Sequence, residues 1–153
     1  MTTPKSTNWF ICTISEGGIH NWDLCKGVSL WGIPSNGRNL NMTQVEAGDG
    51  LLLYWAGKGL IGYALTTGVM KRPQSKDEAP WAGGTFRFGI VVPFELILEV
   101  TEPMPLKFVG GTAVGTGLKV TSLRRGFSRI ESKDGLFLLK ELKASVKKRA
   151  AKT

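Results

Sequence analysis

The chain has 153 residues, 42% hydrophobic and 21% charged, and carries a formal net charge of +8. That is the length and balance of one globular domain with a buried core. No apolar run approaches the ~20 residues of a membrane-spanning helix, which excludes a helical membrane protein. A polar start, Met-Thr-Thr-Pro-Lys-Ser-Thr-Asn, lacks the apolar stretch of a signal peptide, so an intracellular (cytoplasmic) location is expected. Cys12 and Cys25 have no metal-ligand or redox spacing and His20 is the single histidine, so neither a metal nor a cofactor is expected. The twenty glycines and seven prolines favour a turn-rich β fold. Basicity is uneven: six of the twenty cations, with one acid, crowd into 140–153.

In chain order, residues 8–14 read as a first strand, broken by Gly17-Gly18. A short helix is expected over 21–26, with Asn21 as N-cap and Gly27 as its stop. Residues 51–55 and 60–67 are the clearest strands, joined by a hairpin turn, Ala56-Gly57-Lys58-Gly59, whose glycines can take positive φ. A polar loop follows over 70–80. The pattern then predicts a strand over 85–92, separated by Pro93 from another over 94–100. The glycine-rich 110–117 lacks the Gly-Lys-Ser/Thr ending of a phosphate loop and reads as a mobile connector. Ser132 is expected to cap a last helix whose apolar face is Leu136, Leu139, Leu142 and Val146. One domain over 1–146 and a basic tail over 147–153 are predicted.

Two segments carry chemistry. Ser29-Leu-Trp-Gly-Ile-Pro-Ser-Asn-Gly-Arg-Asn-Leu40 sets an indole beside a basic, amide-bearing loop, a combination able to grip a flat, extruded nucleobase. Pro80-Trp-Ala-Gly-Gly-Thr-Phe-Arg-Phe88 puts a second indole after a polar loop, where a core tryptophan is less expected.

The order of these pieces resembles the EVE and YTH branches of the PUA-like superfamily, over roughly 9–92. Lys26-Gly-Val-Ser-Leu-Trp31 looks like the YTH tryptophan step, Gly37-Arg-Asn-Leu40 like its loop, and the Ala47-Gly-Asp49 turn into Leu51-Leu-Leu-Tyr54 like the EVE pattern. The resemblance implies an α+β domain, a PUA-like bent sheet or small β-barrel flanked by short helices and a C-terminal helix. It also implies a reader that takes a modified base, flipped from its stack, into an aromatic cage. Trp31 and Trp81 would be the first two walls. Trp55 is the third candidate, although alternation puts it on the face of Leu51 and Leu53. Many YTH domains carry a further cage tryptophan in the loop after the hairpin, and 70–79 has none. Trp9 and Trp22 read as core.

Thr13, Ser15 and Asn21 occupy places where similar YTH segments put polar pocket groups. Ser29 and Asn39 join them as candidates for hydrogen bonding to the base edge. Arg38, Lys58, Lys71, Arg72, Arg124, Arg125 and Arg129 are the candidates for phosphate contacts, which position a strand without specifying it.

Asp134, Glu141 and Lys143 loosely mimic a nuclease core but fall on the last helix, and no nucleophile accompanies His20 and Asp23, so no enzyme is expected. The resulting expectation is a module for a methylated or hydroxymethylated base. DNA is placed ahead of RNA as partner, in a modification-dependent restriction or defence system with a nuclease or ATPase partner or fusion. The alternatives are an RNA N6-methyladenosine-type reader or RNA-modification accessory domain, and a methyl-lysine-binding module. The last is disfavoured because 27–44 contains no acid to stand beside the rings.

Overall fold

A computed structural model of the chain describes residues 8–33, 45–124 and 126–152. Its elements are β1 (Trp9–Ile14), α1 (Ile19–Val28), β2 (Leu30–Ile33), β3 (Gly50–Trp55), β4 (Gly59–Thr66), α2 (Gly84–Arg87), β5 (Ile90–Met104), β6 (Phe108–Val109), β7 (Thr112–Ala113), β8 (Phe127–Ile130) and α3 (Ser132–Lys152). Short 3₁₀ turns lie at Lys76–Glu78 and Val120–Arg124. Six strands form one curled half-barrel sheet in the order β2-β5-β4-β3-β1-β8, and β6 pairs with β7 as a separate ribbon. This is the α+β architecture the sequence predicts.

Side-chain alternation splits the core into two layers. Phe10, Cys12, Ile14, Leu51 and Leu53 pack with Trp22 and Cys25 of α1, and with Trp31 and Trp81. Trp9, Ile11 and Leu52 pack instead with Leu138, Leu139 and Leu142 of α3. Central strands covered on both faces need apolar residues at every position, which is why β1 and β3 read as near-continuous apolar runs. Those two strands pair in parallel, Trp9 opposite Gly50. The glycine is required: a Cβ on Gly50 would stand 2.6 Å from the Trp9 ring, and one on Gly135 of α3 would stand 2.3 Å from it.

Several local expectations are corrected. Gly18, not Asn21, precedes α1, and Asn21 lies in its first turn. The helix passes through Gly27 and is closed by Ser29, which takes a left-handed φ of 56° and donates its N–H to the Cys25 carbonyl. Residues 84–87 are helical rather than extended, because Gly83 and Gly84 both adopt positive φ and turn the chain (the Gly84 N–H meets the Trp81 carbonyl at 3.0 Å). β5 then runs unbroken through Pro93. The proline lies where the strand changes neighbour, since Ile90–Pro93 pair with β2 and Phe94–Met104 with β4. Such a switch tolerates a residue that cannot donate to a ladder.

α3 starts at Ser132, and the Glu131 carbonyl accepts from the N–H groups of Asp134 and Gly135 in its first turn. The buried stripe of this helix is Leu138, Leu139 and Leu142, with Leu136 58% exposed. α3 also continues past Val146 to Lys152 as one helix. Within 110–117, Gly110 and Gly111 turn the chain with positive φ to form the β6–β7 ribbon.

Candidate functional site

Where α1, the end of β1, β2, the Trp81–Phe88 segment and the Val120–Arg124 turn meet, a cavity of about 500 Å³ opens. That volume lies within the range of small-ligand sites. Trp22, Trp31, Trp81 and Phe88 give it aromatic walls, and Thr13, Ser15 and Asn21 give it polar ones. Glu16, Arg87 and Arg124 add charge, and all three side chains are otherwise exposed to solvent.

Local sequence explains how the walls are held. Trp31 lies in β2 opposite Val92 and is only 6% exposed. The next residue must be glycine, because a Cβ on Gly32 would stand 2.6 Å from the Trp81 ring and 2.9 Å from that of Phe88. Trp81 tilts against Phe88 at a centroid distance of 4.9 Å and donates its indole N–H to the Asn21 carbonyl at 3.3 Å. Trp22 is fixed from behind, its Nε1 donating to Glu99 at 2.7 Å and its ring stacked on Phe94. The walls are therefore set before any ligand arrives.

Two polar atoms of these lining residues lack partners. Trp31 Nε1 and Thr13 Oγ1 are both buried and neither makes a hydrogen bond. Leaving a buried polar group unpaired costs about 1–3 kcal/mol, and native proteins seldom carry that cost without a use for it. An indole N–H can only donate, whereas a hydroxyl can donate or accept.

Cys25 brings a thiol to the cavity lining. Burial pushes the Cys25 thiol up to about 12, against a smaller opposing effect of its hydrogen bond from Trp81. Burial also raises Cys12, in β1. Among the described residues, no group of three His, Cys, Asp or Glu side chains is placed to hold a metal ion.

Of the residues singled out from the sequence, Trp31, Trp81, Thr13, Ser15, Asn21 and Arg124 converge on this cavity. Trp55 does not. Its indole donates to the Glu16 carbonyl at 3.0 Å and lines a separate groove on the far side of α1, as a strand-end residue half-packed against the core. Ser29 is exposed at the end of α1 and consumed in closing it. Lys58 stands over the Trp55 ring, Lys71 pairs with Glu78 at 3.0 Å, and Arg129 donates to the Asn8 side chain at 2.8 Å. Arg72 is exposed, outside the cavity lining. Arg38, Asn39 and Arg125 fall outside the described residues.

Trp22, read from sequence as core, is both core and wall. Arg87 and Phe88 were not foreseen as cavity residues, because a strand over 85–92 gives no reason to turn them toward Trp81. The Gly83-Gly84 pair ahead of them is the signal that points to a turn there. Arg87 lies 5.1 Å from the centroid of the Phe88 ring it stacks on.

No protein-family model and no curated protein matches the sequence. Solved structures do match in fold. A hypothetical protein from Leishmania major superposes with a TM-score of 0.60 at 17% identity, over 91% of this chain and 96% of that one. The apo YTH domain of Toxoplasma CPSF4 gives 0.58 at 19% identity, over 93% and 90%. The YTH domain of Zygosaccharomyces rouxii MRB1, in complex with N6-methyladenosine RNA, gives 0.56 at 13% identity, over 92% and 89%. The chain therefore has a YTH-like fold.

Proposed function

We propose that this protein is a binding module that reads a methylated base in single-stranded RNA, an N6-methyladenosine-type mark, by enclosing it in the cavity between Trp31 and Trp81. The observation that carries this reading is an aromatic-walled cavity of about 500 Å³ whose lining residues Trp31 and Thr13 each hold an unpartnered buried group, Nε1 and Oγ1. The YTH fold adds support, since solved relatives of that fold hold RNA, one of them RNA with N6-methyladenosine. That support favours RNA over the DNA expected from sequence.

The energetics are balanced. Extruding a base costs a few kcal/mol, least for a strand that is already single. Each aromatic wall returns about 1–3 kcal/mol by stacking, so Trp31 and Trp81 together offset the extrusion. Identity then comes from the edge. An adenine ring nitrogen can accept from Trp31, whereas guanine presents N1–H at the corresponding position and leaves the indole donor unpaired. Arg87 and Arg124 would hold flanking phosphates without choosing sequence.

The test is fluorescence anisotropy of the full chain with short RNA and DNA strands, carrying adenine or N6-methyladenine at one position. The expected result is methylated RNA bound about 10- to 200-fold more tightly than its unmethylated twin, the range a fitted methyl slot provides. Equal affinity for both would leave a generic phosphate binder and overturn the reading. A methyl preference confined to DNA would move the module to the restriction-type role instead.

A further inference from the structure

The basic end of the chain takes no part in the cavity, although six of the twenty cations fall within 140–153 beside one acid. α3 sets three of these in line with a fourth, Lys133. Lys133, Lys140, Lys143 and Lys147 are spaced by seven, three and four residues, which keeps them within an arc of about 80° along about 21 Å of helix. All four are exposed. The opposite side of α3 is the buried stripe of Leu138, Leu139 and Leu142. Of the two acids in the helix, Asp134 is buried and Glu141 stands about 100° round from Lys140. Among the described residues, Lys140, Lys143 and Lys147 have no ion-pair partner, and Lys133 has only the exposed Glu131 at 3.4 Å.

We infer that this outward face of α3 is a second RNA-binding surface, on which the lysines follow the phosphates of a strand without reading its bases. It takes from the function proposed above only the identity of the partner, RNA. A solvated helix face intersperses charges of both signs, whereas Lys140 repels Lys143 three residues on, and Lys143 repels Lys147 four residues beyond that. The helix dipole does not offset this. Its reach is one turn, so Lys140 and Lys143 lie too far from either end, and Lys133 stands in the first turn, where a cation is disfavoured. A polyanion turns the repulsion into attraction. The narrow line of charge fits a strand rather than a lipid surface. A helix bound to a membrane needs an apolar face to bury, and α3 has already buried its own against Trp9, Ile11 and Leu52. α3 also covers the sheet face opposite the layer of Trp31 and Trp81, so sheet and helix together put about 20 Å between a base in the cavity and a phosphate on the lysines. Only a longer strand, or a second one, reaches both.

Anisotropy of the full chain over a salt series tests this, with N6-methyladenosine strands of about five and about twenty nucleotides, which bracket the usual length of a single-strand site. The wild type should show a steeper salt dependence on the long strand. Lys140→Gln/Lys143→Gln/Lys147→Gln should lower that slope by about 2, three phosphate contacts at about 0.7 each, and leave the short-strand slope and the methyl preference unchanged. Equal loss of charge at exposed positions elsewhere, Lys58→Gln/Lys71→Gln/Lys76→Gln, should have no such effect. An unchanged long-strand slope in the folded α3 variant overturns the surface, and the reader function stands if methyl preference persists. A drop of equal size in the control also overturns it, because net charge then acts without the line. So does loss of adherence to phosphatidylserine vesicles in the α3 variant with its RNA slope intact, which gives the face to a membrane. Equal affinity for methylated and unmethylated strands removes the reader function but, with the slope change intact, leaves this surface standing.

Discussion

Trp9 and Trp31 are both almost fully buried tryptophans on strands of one sheet, yet their surroundings differ. Trp9 stacks on Tyr63 at 5.6 Å and is closed in by Gly50 of β3 and Gly135 of α3, with no space for even one added carbon. Trp31 faces the other layer, beside a cavity, with its N–H unpaired. Burial alone therefore does not separate a structural aromatic from a binding one. On the proposed function, what marks Trp31 is the unfilled space beside it.

The largest effects should come from breaking the tightly packed side. Trp9→Ala is expected to cost about 3–5 kcal/mol, the usual penalty for emptying a core aromatic site. Gly135→Ala is expected to cost about 1–3 kcal/mol by overpacking, since its Cβ would stand 2.3 Å from the Trp9 ring. Denaturant titration measures both. The folded fraction should keep its RNA affinity, because neither residue lines the cavity. A loss of affinity in fully folded Gly135→Ala would show that the two layers are coupled.

Thr13→Val sharpens the contrast by acting in opposite directions on stability and binding. It removes a buried hydroxyl that has no partner, so the free protein should be unchanged or steadier by up to about 1 kcal/mol. Affinity for the methylated strand should fall by about 1–2 kcal/mol, the worth of one buried hydrogen bond. A variant that loses stability instead would mean that the hydroxyl serves the fold.

Alkaline pH probes the same layer. Burial raises Cys12 and Cys25 above their ordinary value of 9.0, Cys25 to about 12. A group raised in the folded state stabilises fully below its unfolded value and loses that contribution as pH climbs through the folded one. Melting temperature should therefore fall between about pH 9 and 12, and Cys25→Ala should flatten part of that fall. An unchanged slope in Cys25→Ala would exclude the thiol as a cause.

The smallest effect is expected at the rim. Arg124→Ala should weaken RNA binding evenly across sequences and lower the salt slope by about 0.7, one phosphate contact on a single strand. Methyl preference should survive. Its loss would put Arg124 in contact with the base itself.

Much of the fold was legible because local pattern and tertiary role agree. The apolar runs of β1 and β3 and the glycine hairpin after Trp55 need only nearest-neighbour rules. β5 was misread at Pro93 because its change of partner, from β2 to β4, is a long-range event that no local rule sees. β8 escaped notice for a similar reason: four residues, Phe127–Ile130, become a strand only by pairing with β1. In the site, Trp31, Trp81 and Thr13 carried signals of residue type and order. Arg87 carried none until the Gly83-Gly84 turn made its segment helical. Trp55 shows the limit of counting aromatics, since the hydrogen bond to Glu16 that holds it outside the cavity joins residues far apart in sequence.

The most direct test is a crystal structure of the chain with a short N6-methyladenosine RNA. The account predicts the methylated base between Trp31 and Trp81, with a ring nitrogen accepting from Trp31 Nε1. A strand bound along the lysines of α3, with the aromatic cavity empty, would contradict it.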